Sequence, residues 1–115
     1  MADYNSIYTG AEIDSAIGKV NKPQSVSFAA ASSAIDLSLG NVINVGTLTG
    51  NLTLVSPTNA VAGTFYTYHF VQDATGGRTV TFPNGVSYGS GIANQKLIVQ
   101  FFYDGTDFLQ VFGGA

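Results

Sequence analysis

The sequence predicts a mainly β protein, an antiparallel β-sandwich or jelly-roll-like domain preceded by one short N-terminal α-helix. From Ser25 onward Thr, Val, Phe and Tyr dominate, and Gly, Asn, Asp and Pro interrupt them at short intervals. That is the pattern of short strands joined by turns. Ahead of Pro23, one segment instead carries apolar residues at helical spacing. The chain has 115 residues, the size of a single domain with a single core. The expected division is an arm and helix over residues 1–24 and a β domain over residues 25–115.

The helix has a well-defined start. Thr9 is placed as N-cap, and Glu12, three residues later, can reach back to its amide as a capping box. Tyr8 and Ile13 occupy the two positions of a hydrophobic staple. Ile13, Ala16, Ile17 and Val20 then form one apolar stripe. Asp14 suits the positive end of the helix dipole, Lys19 and Lys22 the negative end, and Asn21–Pro23 ends the run. So short a helix is marginal alone in water, so the stripe must dock, either on its own domain or on a neighbouring chain or larger particle.

The expected strands are Ser25–Ala29, Ala34–Leu39, Asn41–Leu48, Leu52–Val55, Thr64–Gln72, Arg78–Phe82, Lys96–Tyr103 and Phe108–Phe112. Two turns read as hairpins: Asp73-Ala74-Thr75-Gly76-Gly77, and Asp104-Gly105-Thr106, where Gly105 supplies a positive φ. Gly85–Asn94, rich in Gly and Ser, reads as a loop. Sandwich strands with one wet face should alternate apolar and polar residues, but these do so poorly. Thr64–Gln72 carries Tyr66, Tyr68 and Phe70 on one face and Phe65, Thr67, His69 and Val71 on the other. Lys96–Tyr103 sets Leu97, Val99, Phe101 and Tyr103 against Ile98, Gln100 and Phe102. One face serves the core, and the other is expected to be covered by a second chain.

Composition points the same way. Charged residues are only 10% of the chain against 45% hydrophobic, where soluble domains usually carry roughly 25% charge. A small monomer needs charge to stay soluble and separate, so much of the surface is expected to lie inside an assembly. With 4 basic and 7 acidic residues the chain lacks the cationic footprint that nucleic acid or an anionic membrane demands. Cysteine is absent, which removes disulfides and thiolate chemistry and suits assembly in a reducing cytoplasm. The N-terminal MADYNS does not read as a signal peptide.

Catalytic and metal-ligating patterns are missing from the sequence. The single histidine, His69, lies mid-strand with no second His or Cys to join it in a metal or catalytic cluster, and reads as structural. Glu12 and Asp14 have helix-start roles, and Asp73 and Asp104 have turn roles. Asp104 and Asp107 flank one tight turn, where a hard cation is conceivable but a turn suffices. No carboxylate pair, nucleophile elbow, phosphate loop or dinucleotide fingerprint is recognisable. The reading is a non-enzyme without cofactor or metal. Tyr66, Tyr68, Tyr88 and Tyr103 offer aromatic faces on which a sugar can stack, although core or interface use suits them better.

Two stretches resemble known proteins. Ile7-Tyr8-Thr9-Gly10-Ala11-Glu12-Ile13-Asp14-Ser15-Ala16-Ile17 resembles the TGxEIDxAI helix near the start of bacteriophage virion appendage and fibre proteins. Three later runs are similar to a recurring β-module of phage tail and fibre proteins. These are Gly63–Tyr66, Val71-Gln72-Asp73-Ala74-Thr75-Gly76-Gly77-Arg78-Thr79-Val80-Thr81-Phe82-Pro83, and Phe102–Phe108. The resemblance implies a β-rich, non-enzymatic, often trimeric module and transfers no catalytic residue. No shaft, collagen repeat or heptad array accompanies it.

The expectation drawn from all this is a virion-surface structural protein, a homotrimer acting as a capsid decoration (cement) protein or short head fibre. The competing expectation is a tail-fibre or baseplate tip module whose loops, such as Gly85–Asn94, bind a host receptor or glycan. Tyr8, Ile13, Ile17 and Val20 are the expected particle-anchoring residues, contacting the major capsid protein or another virion protein. Tyr66, Tyr68, Phe101 and Tyr103 are the expected contacts between copies.

Overall fold

The computed structural model describes residues 22–114, with side chains described up to residue 111. The expected helix and the anchoring residues Tyr8, Ile13, Ile17 and Val20 lie outside the described residues. The remainder is mainly β, in two sheets. The larger contains β1 (Pro23–Ser25), β2 (Val42–Leu48), β4 (Thr64–Gln72), β7 (Lys96–Tyr103) and β8 (Phe108–Gly114), in that spatial order. The smaller contains β3 (Leu52–Thr53), β5 (Thr79–Thr81) and β6 (Ser87–Gly89).

The sheets are mixed, not purely antiparallel as expected. Between β2 and β5 the chain passes from one sheet to the other at every connection, so strands that meet within a sheet run the same way. β1 pairs parallel with β2, β2 with β4, and β3 with β5. An isolated parallel bridge joins Asp36 to Thr58 on the same winding. Only the last part of the chain folds back on itself, with β5–β6, β4–β7 and β7–β8 antiparallel. The expected hairpin at Asp73–Gly77 is therefore a crossover, linking β4 in one sheet to β5 in the other. The hairpin at Asp104–Thr106 forms as expected, with Gly105 at φ 105°.

The core lies between the sheets and follows the pleat. β2 contributes Ile43, Val45 and Leu48, and its inward parity changes where the register shifts between Asn44 and Gly46. β4 contributes Tyr66, Tyr68, Phe70 and Gln72, and β7 contributes Leu97, Val99 and Phe101. Leu52, Leu54, Val80 and Phe82 face them from the smaller sheet and its continuations. Phe82 is the hinge of the packing. Its ring lies 5.1 Å from Tyr68, 4.9 Å from Phe101, 6.2 Å from Phe70 and 5.6 Å from Tyr88, mostly edge to face, the preferred arrangement for quadrupolar rings.

The largest departures from the expected elements each have a local reason. The strand expected at Ser25–Ala29 ends at Ser25, because the Ser27 carbonyl accepts from the amides of Ala30 and Ala31 and turns the chain. The strand expected at Ala34–Leu39 is a 3-10 turn over Leu37–Leu39, where the Asp36 carboxylate caps the Ser38 amide at 2.9 Å. Ser87–Gly89, inside the expected loop, pairs with β5 through Thr79–Gly89, Val80–Tyr88 and Thr81–Ser87.

Candidate functional site

The motif Gln72-Asp73-Ala74-Thr75-Gly76-Gly77-Arg78 builds the crossover from β4 to β5. Gln72 is 1% exposed, and its carboxamide acts as a surrogate strand: Nε2 donates to the Arg78 carbonyl at 2.7 Å, and Oε1 accepts from the Arg78 amide at 2.9 Å. One side chain thereby satisfies both main-chain groups of the residue that enters β5, as a ladder partner would. Asp73 caps the turn, accepting from the amides of Thr75 at 3.1 Å and Gly76 at 3.0 Å. Arg78 closes back on it, with Nη2 3.0 Å from Oδ2. The hydrogen bond from Arg78, together with the turn amides, holds the Asp73 carboxyl below its ordinary range, against a smaller desolvation effect.

The same end of the sandwich is tied to the segment after β6. Gly77 donates to the Ser90 carbonyl at 2.7 Å and Asn94 to the Asp73 carbonyl at 2.9 Å. A Cβ on Gly76 would meet the Gly91 carbonyl oxygen at 2.9 Å, and its φ is +72°. The Gln72, Asp73 and Arg78 side chains are thus used inside the fold, and the motif acts as a folding device.

The expected contacts between copies fall in the opposite place. Tyr66, Tyr68 and Phe101 are 2%, 4% and 3% exposed and pack in the core of their own chain. Tyr103 is half-buried against Phe108, ring centroids 4.5 Å apart, and its hydroxyl donates to the Gly105 carbonyl. The Tyr66 hydroxyl accepts from the Val61 amide at 2.8 Å. Period-2 alternation shows that two faces exist but does not say which is inner, and the richer aromatic row turned inward.

The outer face of the larger sheet is the other row. Phe65, Phe102 and Leu109 stand side by side across three strands, the two Phe rings 5.1 Å apart. Phe65 and Leu109 are 48% and 49% exposed, and Ile98 on the same face is 43% exposed. His69 lies on this face between Asn44 and Ile98. Lys96 at the margin pairs in register with Val71, and no carboxylate shares the face among the described residues.

A cleft of about 270 Å³ opens between the sheets where three turns converge. Ser56 and Pro57 follow β3, Pro83 and Asn84 lie in the β5–β6 turn, and Thr106 and Asp107 lie in the β7–β8 turn. Tyr68, Phe82, Phe101 and Phe108 form its floor. The rim is held by its own turns: Asn84 Oδ1 accepts from the Val86 amide at 3.0 Å, and Asp104 Oδ1 accepts from Thr106 at 2.8 Å and Asp107 at 2.7 Å. Those two amides depress the Asp104 carboxyl below its usual value, and they explain Asp104 as a turn residue. No Lys or Arg lines the cleft. Burial drives the Tyr68 hydroxyl pKa well above its ordinary value, with a smaller contribution from Tyr66. No three His, Cys, Asp or Glu side chains among the described residues are grouped to hold a metal ion.

Residues 34–108 match a family described as "putative phage tail fibre C-terminal domain". The chain belongs to this family. The match spans well over half of the sequence and covers β2 to β7, the crossover motif and all three turns of the cleft. It makes the protein a virion-associated component of a phage fibre, and it does not extend to the TGxEIDxAI segment. No curated protein and no solved structure is significantly similar to the chain.

Proposed function

We propose that this chain is a non-enzymatic module of a bacteriophage tail fibre that associates with copies of itself and meets the host surface through its turns. The family match carries this reading. It supports a place on the tail over the capsid-decoration or head-fibre role that the composition also suits. The fold adds support, because its polar side chains are spent on turns and crossovers, and because function on a rigid β scaffold usually resides in the connecting segments.

Copies of the chain pack through the outer face of the larger sheet, with three as the expected number. Phe65, Phe102 and Leu109 offer a contiguous apolar area there, and Ile98 lies farther along β7 beyond the polar Thr67–Gln100 pair. A chain with so few charges has little to keep like copies apart. Gold-labelled antibody against this chain should decorate tail fibres on intact virions, and fluorescent protein should bind host cells. Labelling of heads alone, with no binding to cells, would overturn the reading in favour of capsid decoration.

A further inference from the structure

We propose that a groove beside the start of β1 is the seat of the chain's own Ile17 and Val20, which fasten the N-terminal segment to the β domain. The groove has a volume of about 330 Å³, and Lys22, where the described chain begins, is one of its walls. Leu37, Gly40, Asn41, Val61 and Tyr66 line the rest, together with Ser38 and Thr64. Several of its polar groups are engaged within the fold. Asn41 Oδ1 accepts from the Lys22 amide at 2.6 Å, and Nδ2 donates to the Phe65 carbonyl. The Tyr66 hydroxyl accepts from the Val61 amide, and the Ser38 hydroxyl donates to the Asp36 carboxylate. What the groove presents is chiefly hydrocarbon, from the buried Leu37 to Val61, which is 62% exposed.

Covalent geometry names the occupant. Lys22 is fixed in the wall: its amide bonds Asn41, and its carbonyl accepts from the Val42 amide at 3.1 Å. A Cβ on Gly40 would come within 2.5 Å of that carbonyl oxygen, so the missing side chain is what admits the entering chain. Val20 precedes Lys22 by two residues, which keeps its Cα within about 7 Å of that of Lys22 in any conformation. Ile17 lies one helical turn before Val20 on the same apolar stripe. A helix this short needs a surface to dock on, and the tether holds Val20 at an effective concentration far above that of a separate partner. Of the expected anchoring residues, Ile17 and Val20 are then used inside the molecule. Ile13, about 10 Å along the helix from Val20, and Tyr8 extend beyond the groove towards another virion protein. The inference concerns the chain alone and stands or falls apart from the fibre reading.

The test uses the full chain. Nuclear Overhauser contacts should join the Val20 and Ile17 methyls to Leu37, Val61 and the Tyr66 ring. In a mixture of differently labelled copies, those contacts should arise within a chain. Val20→Asp should lower the urea midpoint by about 1 M and Val20→Ala by about 0.5 M, whereas Ile13→Asp, beyond the groove, should leave it unchanged. Val20→Ala combined with Val61→Ala should lower the midpoint by less than the sum of the two, because both empty the same contact. Absence of any contact from Val20 to the groove, or a midpoint that Val20→Asp does not move, overturns the inference. Contacts seen only between copies overturn it as well and make a second chain the occupant. Failure of the antibody to label tail fibres, by contrast, counts against the fibre reading and not against the groove.

Discussion

Replacing Gln72 by Met tests the crossover directly. Met keeps the length and apolar stem of the side chain but can neither donate to the Arg78 carbonyl nor accept from its amide. Two main-chain groups at the start of β5 then lose their partners, each at a cost of about 1–3 kcal/mol when water cannot replace the bond. Arg78 is half-buried, so the lower part of that range applies and the total comes to about 3 kcal/mol. Small domains have only about 5–15 kcal/mol of stability, so the loss is a large share. With a urea m-value near 1.5–2 kcal/mol/M, the midpoint should fall by about 1.5–2 M. Urea unfolding followed by tyrosine fluorescence measures this. A Gln72→Met midpoint equal to wild type would show that the carboxamide does not hold the crossover, and the account of the motif would fail.

The adjacent glycines separate conformation from space: Gly76→Ala incurs both a positive φ and a backbone contact at 2.9 Å, whereas Gly77→Ala, at φ +73°, meets nothing within 4 Å. Gly77→Ala should therefore cost only about 1–2 kcal/mol and Gly76→Ala clearly more, read as thermal midpoints of the two variants. The folded state lowers the pKa of Asp73, Asp36 and Asp104, so each stabilises the fold fully above its unfolded value. That contribution disappears as pH falls from about 4 through the lower folded values; stability should be flat from pH ~5 to 7 and drop below, and Asp73→Asn should shallow the acid limb. Finally, Phe65→Ser with Leu109→Ser should shift sedimentation from a mass three times that of the chain to that of one chain, with the β circular-dichroism signal retained because both residues are about half exposed; unchanged sedimentation would place self-association elsewhere.

Strand identity was largely legible in the sequence. β4 and β7 have the bounds that their Thr, Tyr, Phe and Val runs imply, because β-branched and aromatic content is a local property. Direction was not legible. Asp73–Gly77 has the composition of a hairpin turn, and nothing local distinguishes a turn that returns within a sheet from one that crosses to the facing sheet. What decides is the buried carboxamide of Gln72 reaching Arg78, six positions along the chain, and its signal in sequence is a polar residue at an inward position of an apolar strand. The same blindness affected the site. Tyr68 was visible as an aromatic residue, but its place on the floor of a cleft depends on Ser56, Asn84 and Thr106 arriving from three separate turns.

The motif that makes the chain recognisable and the surface that would recognise a host are physically separate. Gln72, Asp73, Gly76 and Arg78 are bound to one another and to the Ser90–Asn94 segment, so a change at any of them is paid in stability. Ser56, Thr106 and Asp107 sit exposed on the cleft rim, and the β7–β8 turn takes its shape from Asp104 and main-chain amides. Changing those rim side chains alters the chemistry offered to a ligand at little cost to folding, since exposed substitutions away from such contacts usually stay within about 0.5 kcal/mol. A scaffold of this kind can be retargeted without being refolded. Exchanging Thr106 and Asp107 between members of the family, rather than the crossover motif, is therefore the change expected to move ligand preference, and a transplanted rim that folds normally but keeps the preference of its host scaffold would contradict that division of labour.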